Sequence, residues 1–369
     1  MKKIRVIHFT IANAGGGVTK SVLRLWKYID RERFHFDFVT MSDKLDFAEE
    51  LEAEGCKIYY LSAYAEENLE LFTKEVKEIL SNGYDVLHLQ TSWWRGFATE
   101  KIAKEMGIPK VILYSNNTGV AVKDGQSYEA VRKLHFQQRE LLTEDMATDF
   151  VACSEAAAEW LYGDRIPKEK IKIVPYAIEL EDYKYNENIR EKCRETLGIK
   201  DEFVIGHVGR FEYQKNHEFL IDVFQDIVKV DDRVKLLLVG VGTLQDKIKD
   251  KIKQLEIEDK VIFTGKRNDI AGLMQAMDIF AFPSRYEGFG IVLIEAQAAG
   301  LKCITSKEIP DEARITDNIE FLELDKKIWT DSILKYKDGY VREDMSEMME
   351  AKGWGMKAHA EIFERIYSD

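Results

Sequence analysis

The chain has 369 residues, 45% apolar and 32% charged, with a formal net charge of −13 at pH 7. That length exceeds what one hydrophobic core usually serves, so two domains of roughly 150 to 200 residues are expected, neither of which needs disulfide or metal staples. The negative balance excludes general nucleic-acid binding, whose affinity comes mainly from lysines and arginines that neutralise phosphates.

The acidity is uneven. Residues 1–180 carry 24 Lys and Arg against 28 Asp and Glu, net −4, and the remainder carries 29 against 38, net −9. A first half nearer neutrality tolerates an anionic membrane surface. No apolar stretch approaches the ~18 residues of a membrane span, so any membrane contact is expected to be peripheral. The opening "MKKIRVIHFTIANAGGG" has the basic start of a signal peptide, but polar and glycine residues interrupt its apolar run early, and it reads as a first strand. Cys56, Cys153, Cys193 and Cys303 are isolated, with no CxxC pair for zinc or a redox couple. A reduced, cytoplasmic setting follows.

In chain order, "IRVIHFT", "FDFVTM", "KIYYL", "DVLHLQ", "KVILYS", "DFVACS" and "IKIVP" read as strands. Segments such as "TKSVLRLWKYI" and "KLDFAEELEAEG" lie between them with apolar residues at helical spacing. After the first strand, "IANAGGGVTKS" opens a helix, where the backbone N–H groups of a glycine-rich turn can face an anion. It is neither G-x-G-x-x-G nor a P-loop, and a tight turn with positive φ explains the glycines equally well. Residues 176–200 lose the strand pattern and become highly charged, marking a linker into a helix and a boundary near 178. The predicted domains are 1–178 and 179–345, with 346–369 as a C-terminal segment.

The second half restarts the alternation with "FVIGHVG", "KLLLVG", "VIFTG", "DIFAFPS" and "KCITS". Two doubly wound parallel α/β sheets are implied, with ligands at the carboxyl ends of their strands and a cleft between domains as the expected site. "VGRFEYQKN" places Arg210 and Lys215 in one loop at such a strand end. Together they can hold a diphosphate, Arg by its fork and Lys as a point charge, although a solvated surface loop is the simpler reading of these two residues alone. Gly240 and Gly242 in "VGVG" and Gly265 in "FTGKRNDI" end the next strands, where glycine lets a ligand approach the backbone.

"SRYEGFGIVLIEAQAAG", residues 284–300, sets two glutamates in glycine, alanine and branched apolar residues. "YEGFG" reads as a loop, and "IVLIEAQAAG" as a buried helix stopping at Gly300, with Glu287 just before it and Glu295 about two turns inside. A carboxylate in a dry environment needs a partner, and a carboxylate binds vicinal hydroxyls through both oxygens. A ribose and a hexose are natural partners. The competing reading makes Glu287 a helix cap and pairs Glu295 with a structural arginine.

With "GR" and a following Lys at 209–215, the E-x7-E spacing of Glu287 and Glu295 resembles the retaining glycosyltransferases of family 4, which have the GT-B architecture. "DFVACSEAAAEWLYG", "RFEYQKNHEFLIDVF", "LMQAMDIFAFPSRYEGFGIVLIEAQAAGLKCITS" and "IEFLELD" near 319 are similar to bacterial capsular and exopolysaccharide biosynthesis members. The resemblance covers nearly the whole chain and implies GT-B, two Rossmann-like domains facing across a cleft. It implies a nucleotide-sugar donor, a UDP-sugar, held mainly by the second domain, a glycan or lipid-linked acceptor held mainly by the first, and no required metal. Carried across, Arg210 and Lys215 hold the donor diphosphate, Glu295 the ribose hydroxyls and Glu287 the hydroxyls of the transferred hexose or N-acetylhexosamine. The backbone of Gly288, Phe289 and Gly290 cradles sugar and phosphate, Lys266 and Arg267 lie near the base, Gly16 and Gly17 close on the diphosphate, and the final helix packs across the first domain.

Two positions depart from the family pattern. Asn116 in "VILYSNNTG" stands where the family usually has a His that touches the transferred sugar, and Tyr176 in "IVPYAIEL" where it usually has Asn. A non-catalytic, glycosyltransferase-like subunit that binds sugar or a partner enzyme is the alternative; Glu287, Glu295, Arg210 and Lys215 together discriminate against it. The missing G-x-G-x-x-G argues against a nicotinamide enzyme.

Overall fold

A computed structural model describes residues 2–13, 17–120, 122 and 126–369. The chain divides into unit 1, Met1–Ala177 with Met356–Asp369, and unit 2, Ile178–Gly355. The return to unit 1 thus begins at 356 rather than 346, because the helix Ser346–Ala351 stays with unit 2.

Unit 1 holds seven strands: β1 (Ile4–Ile11), β2 (Phe34–Thr40), β3 (Ile58–Tyr60), β4 (Val86–Thr91), β5 (Lys110–Ser115), β6 (Asp149–Ala152) and β7 (Ile171–Ile173). They pair in parallel in the order β3-β2-β1-β4-β5-β6-β7. Unit 2 holds β8 (Phe203–Val208), β9 (Val234–Val239), β10 (Val261–Gly265), β11 (Ile279–Phe282), β12 (Lys302–Ser306) and β13 (Ile319–Leu322), all parallel, in the order β10-β9-β8-β11-β12-β13. Strand order therefore reverses between β1 and β4 and again between β8 and β11. Right-handed crossovers then put helices on both faces of each sheet, so the central strands are buried on both sides and read as continuous apolar runs. Leu236, Leu237, Leu238, Phe280 and Ala281 are all fully buried.

The helix Met356–Ser368 belongs to unit 1. His88 Nδ1 lies 2.8 Å from Tyr367 Oη in a hydrogen bond, the His88 and Phe363 rings stack at 5.4 Å, and Arg33 reaches Glu364 at 3.2 Å. His8, 4.8 Å from the His88 ring, has neither ring nitrogen hydrogen-bonded. Burial holds His88 down to about 3, with His359 adding to it, and holds His359 down to about 4; His8 is lowered well below the usual value by burial and then by His88. Each is neutral when folded and protonates near pH 6.5 when unfolded, so its contribution is complete above that pH and is lost as pH falls towards the folded values. The expected result is a loss of about 1.4 kcal/mol per histidine per pH unit below ~6.5. Urea unfolding at pH 7.5 and 5.5 measures it, and equal stability at the two pH values contradicts it.

Candidate active site

Open parallel sheets bind ligands at the carboxyl ends of the strands where the order reverses. In unit 2 this selects the loops after β8 and β11. The β8 loop is pinned by Phe211, fully buried, whose ring stacks on His217 at 4.0 Å and whose backbone N–H donates to Val241 O at 3.0 Å. On one side Arg210 is exposed. On the other, a 3-10 turn over Tyr213–Lys215 ends at Asn216, a non-glycine residue at φ 56° and ψ 41° that begins the helix His217–Val228. A left-handed asparagine at a ligand-facing strand end is strain that its neighbours must hold in place.

The β11 loop supplies those neighbours. Arg285 donates its backbone N–H to Gln214 O at 2.8 Å and its Nη2 to Asn216 Oδ1 at 2.7 Å, while its guanidinium lies 4.5 Å from the centre of the Tyr213 ring. Gln214 Nε2 donates to Tyr286 O at 2.9 Å. Between these ties, Lys215 Nζ donates to Glu287 Oε1 at 2.6 Å and sits 4.6 Å from the centre of the Phe282 ring. The side chains of this pair are 14% and 10% exposed. Beneath it, His207 donates from Nδ1 to Ala281 O at 2.8 Å, and burial, with the charge of Lys215 adding to it, holds the ring down to about 4. The floor under the cation is therefore neutral at pH 7.

Gly290, at φ 83°, opens the helix Ile291–Ala298. Its cap residue has no side chain to offer, the Leu293 N–H turns back to Gly290 O at 2.8 Å, and the positive dipole end of the helix suits an anion. Glu287 pairs with Lys215. Glu295 is the fifth helical residue, one turn inside rather than two, and is 4% exposed. Gln297, absent from the sequence-based set, fixes the helix: its Nε2 donates to Leu293 O and Ala313 O, and its Oε1 accepts from the Ile315 and Thr316 N–H groups at 3.2 and 3.0 Å. Gly288, Phe289 and Gly290 lie in the connecting loop, with Phe289 1% exposed and its ring 5.4 Å from Trp354.

The remaining predicted residues are spread more widely. Gly240, at φ 139°, is required by loop packing: a Cβ there would lie 2.1 Å from Gly209 O. A Cβ on Gly242 would meet the Phe211 backbone at 2.6 Å. Neighbouring backbone accounts for both glycines before any ligand is invoked. Lys266 and Arg267 follow β10, two strands from the reversal; Lys266 is exposed, and the fork of Arg267 is held by Asp269 at 2.8 and 2.6 Å. In unit 1, Gly17 begins the helix Gly17–Tyr28 after β1, whereas Gly16 lies outside the described residues. Asn116 follows β5, 7% exposed, and its Oδ1 accepts from Ser92 Oγ at 2.7 Å. Tyr176 is absorbed into the core of unit 1, 3% exposed, with its ring 5.8 Å from Tyr114 and its hydroxyl without a hydrogen-bond partner.

Residues 16–177 match the family model described as "Glycosyl transferase 4-like domain", and residues 189–322 match "Glycosyl transferases group 1". EpsF of Bacillus subtilis (strain 168), a protein assigned as a glycosyltransferase, is 32% identical over 313 residues, covering 84% of this chain and 80% of the relative. The chain belongs to the family 4 glycosyltransferases of GT-B architecture. The glycosyltransferase is also 25% identical over 329 residues to the UDP-Gal:alpha-D-GlcNAc-diphosphoundecaprenol alpha-1,3-galactosyltransferase of Escherichia coli, covering 82% and 79% of the two chains. In fold it is similar to Anabaena HepE, solved in complex with UDP and glucose, at a TM-score of 0.78 and 19% identity, with 100% of both chains covered. It is a glycosyltransferase of polysaccharide or glycolipid biosynthesis.

Proposed function

We propose that this glycosyltransferase moves a hexose or N-acetylhexosamine from a UDP-sugar to a glycan or lipid-linked acceptor in polysaccharide biosynthesis, retaining the anomeric configuration and requiring no metal. The Lys215–Glu287 pair carries the proposal: a cation and a carboxylate 2.6 Å apart at the strand-order reversal of unit 2, in sequence between exposed Arg210 and a helix N-terminus that begins at Gly290. Breaking a sugar–diphosphate bond develops negative charge on the leaving group and positive charge at the anomeric carbon. Arg210 and Lys215 stabilise the former by position alone, as a metal does elsewhere.

In this reading Glu295 accepts hydrogen bonds from the ribose hydroxyls and Glu287 from those of the transferred sugar. The backbone from Gly288 to Gly290 cradles sugar and phosphate. Retention follows from attack on the face the diphosphate leaves, with a diphosphate oxygen taking the acceptor's proton. The names of the two relatives support a UDP-linked donor, and the Escherichia coli enzyme's name a lipid-linked acceptor. The setting proposed is cytoplasmic with peripheral membrane contact; among the described residues no helix is long and apolar enough to cross a membrane.

The test is hydrolysis of a panel of nucleotide sugars, with and without EDTA. Turnover of a UDP-hexose or UDP-N-acetylhexosamine at an unchanged rate in EDTA is expected. Activity lost in EDTA and restored by Mg²⁺ or Mn²⁺ overturns the metal-free reading. If no donor is turned over, a sugar-binding partner subunit replaces the enzyme.

A further inference from the structure

We propose that the loop after β4 in unit 1 is a pyranose-binding subsite, with the indole of Trp93 as the surface on which a neutral sugar ring rests. Naming that sugar as part of the acceptor rests on the proposed transfer reaction. The binding itself does not.

The loop Ser92–Gly96 leaves the sheet where the strand order of unit 1 reverses between β1 and β4, the position at which open sheets bind ligands. It is held from several directions. Ser92 O accepts from Trp160 Nε1 at 2.8 Å, and Ser92 Oγ donates to Asn116 Oδ1 at 2.7 Å. Trp94 is 1% exposed; its backbone N–H donates to His135 Nδ1 at 3.0 Å and its Nε1 to Leu161 O at 2.7 Å. His135 Nε2 in turn donates to Trp160 O at 3.0 Å, and the two rings stack at 4.1 Å. A loop tied this firmly presents its remaining side chains in one arrangement, so little ordering entropy opposes binding.

Those side chains are Trp93 and Arg95. Trp93 is only partly buried, unlike Trp94 beside it. The Arg95 guanidinium lies 4.6 Å from the centre of the Trp93 ring and 5.2 Å from that of Tyr64, and its Nη1 pairs with Glu66 Oε1 at 2.8 Å. The stack steadies the indole, and Glu66 opposes the charge of the arginine. This balance selects the ligand. A phosphate would meet a cation already paired with a carboxylate, whereas the C–H face of a pyranose, weakly positive, matches the negative face of an indole. Asn116, whose Oδ1 accepts from Ser92 Oγ, ties the start of the same loop to the end of β5.

The experiment titrates the full chain with methyl pyranosides of glucose, galactose and N-acetylglucosamine by saturation-transfer NMR, and separately with UDP by calorimetry. The wild type should bind at least one pyranoside at millimolar concentration. Trp93→Ala should weaken that binding by about tenfold or more, while Trp93→Phe, which keeps a ring, should lose only about threefold. Both variants should bind UDP as the wild type does, which also reports that they fold. A wild type that binds no pyranoside, or Trp93→Ala binding as well as wild type, overturns the subsite. A wild type that binds a pyranoside in a Trp93-dependent way but not UDP supports the subsite while overturning the donor assignment in unit 2.

Discussion

Arg210→Ala and Lys215→Ala should each lower kcat for donor turnover by about 10²-fold or more, the range found when a preorganised electrostatic stabiliser is removed. Their effects on stability should differ. Arg210 is exposed at the head of its loop, so its loss leaves packing unchanged and the unfolding midpoint near that of the wild type. Lys215 holds the carboxylate of Glu287, which is 7% exposed, and removing the cation breaks this largely buried ion pair at a cost on the order of 3 kcal/mol. The double variant Lys215→Ala, Glu287→Gln should recover most of that stability and none of the activity. Turnover and thermal unfolding on the same preparations separate the two effects. Near-normal kcat in both single variants rejects the role given to the pair of cations.

The strands were legible because both sheets are parallel and covered on both faces, which turns each central strand into an apolar run such as "KLLLVG". β13 was the exception. It lies at the edge of its sheet, and its burial pattern over Ile319–Leu322 is mostly intermediate, so its sequence carries no such run. Within the site, Glu287, Glu295, Arg210 and Lys215 stood out because charges beside apolar residues demand partners. Gln214, Asn216 and Arg285 did not, since their contribution is a set of contacts between loops about 70 residues apart in sequence, and no local pattern encodes those. Gln297 was hidden for the same reason: apart from one bond to Leu293 O in its own helix, its amide is satisfied by a segment beyond β12. The glycines ending β9 were read as room for a ligand, whereas the space beside them is filled by the β8 loop. Tyr176 reads as a departure in a sugar contact, yet its burial beside Tyr114 gives it a packing role that the residue type alone could not reveal.

Glu295→Ala and Glu287→Ala should separate nucleotide binding from transfer. Glu295 stands one turn inside the helix Ile291–Ala298, in the reading proposed here at the ribose, and its carboxylate gives charge-assisted hydrogen bonds of about 1.5–3 kcal/mol. Its loss should weaken UDP binding by about 10- to 100-fold. Glu287 is assigned to the hydroxyls of the transferred sugar, a part UDP lacks, so Glu287→Ala should bind UDP with nearly wild-type affinity and still lose about 10²-fold or more in kcat. Freeing Lys215 from its partner sharpens the contrast, because the ammonium then faces the diphosphate without a competing carboxylate, and UDP affinity should hold or rise. A merely structural role for Glu287 predicts the opposite order, with affinity and turnover falling together as the laced loops loosen. Calorimetry with UDP alone, set beside initial rates on the donor, distinguishes the outcomes, and equal losses of UDP affinity in the two variants contradict the assignment.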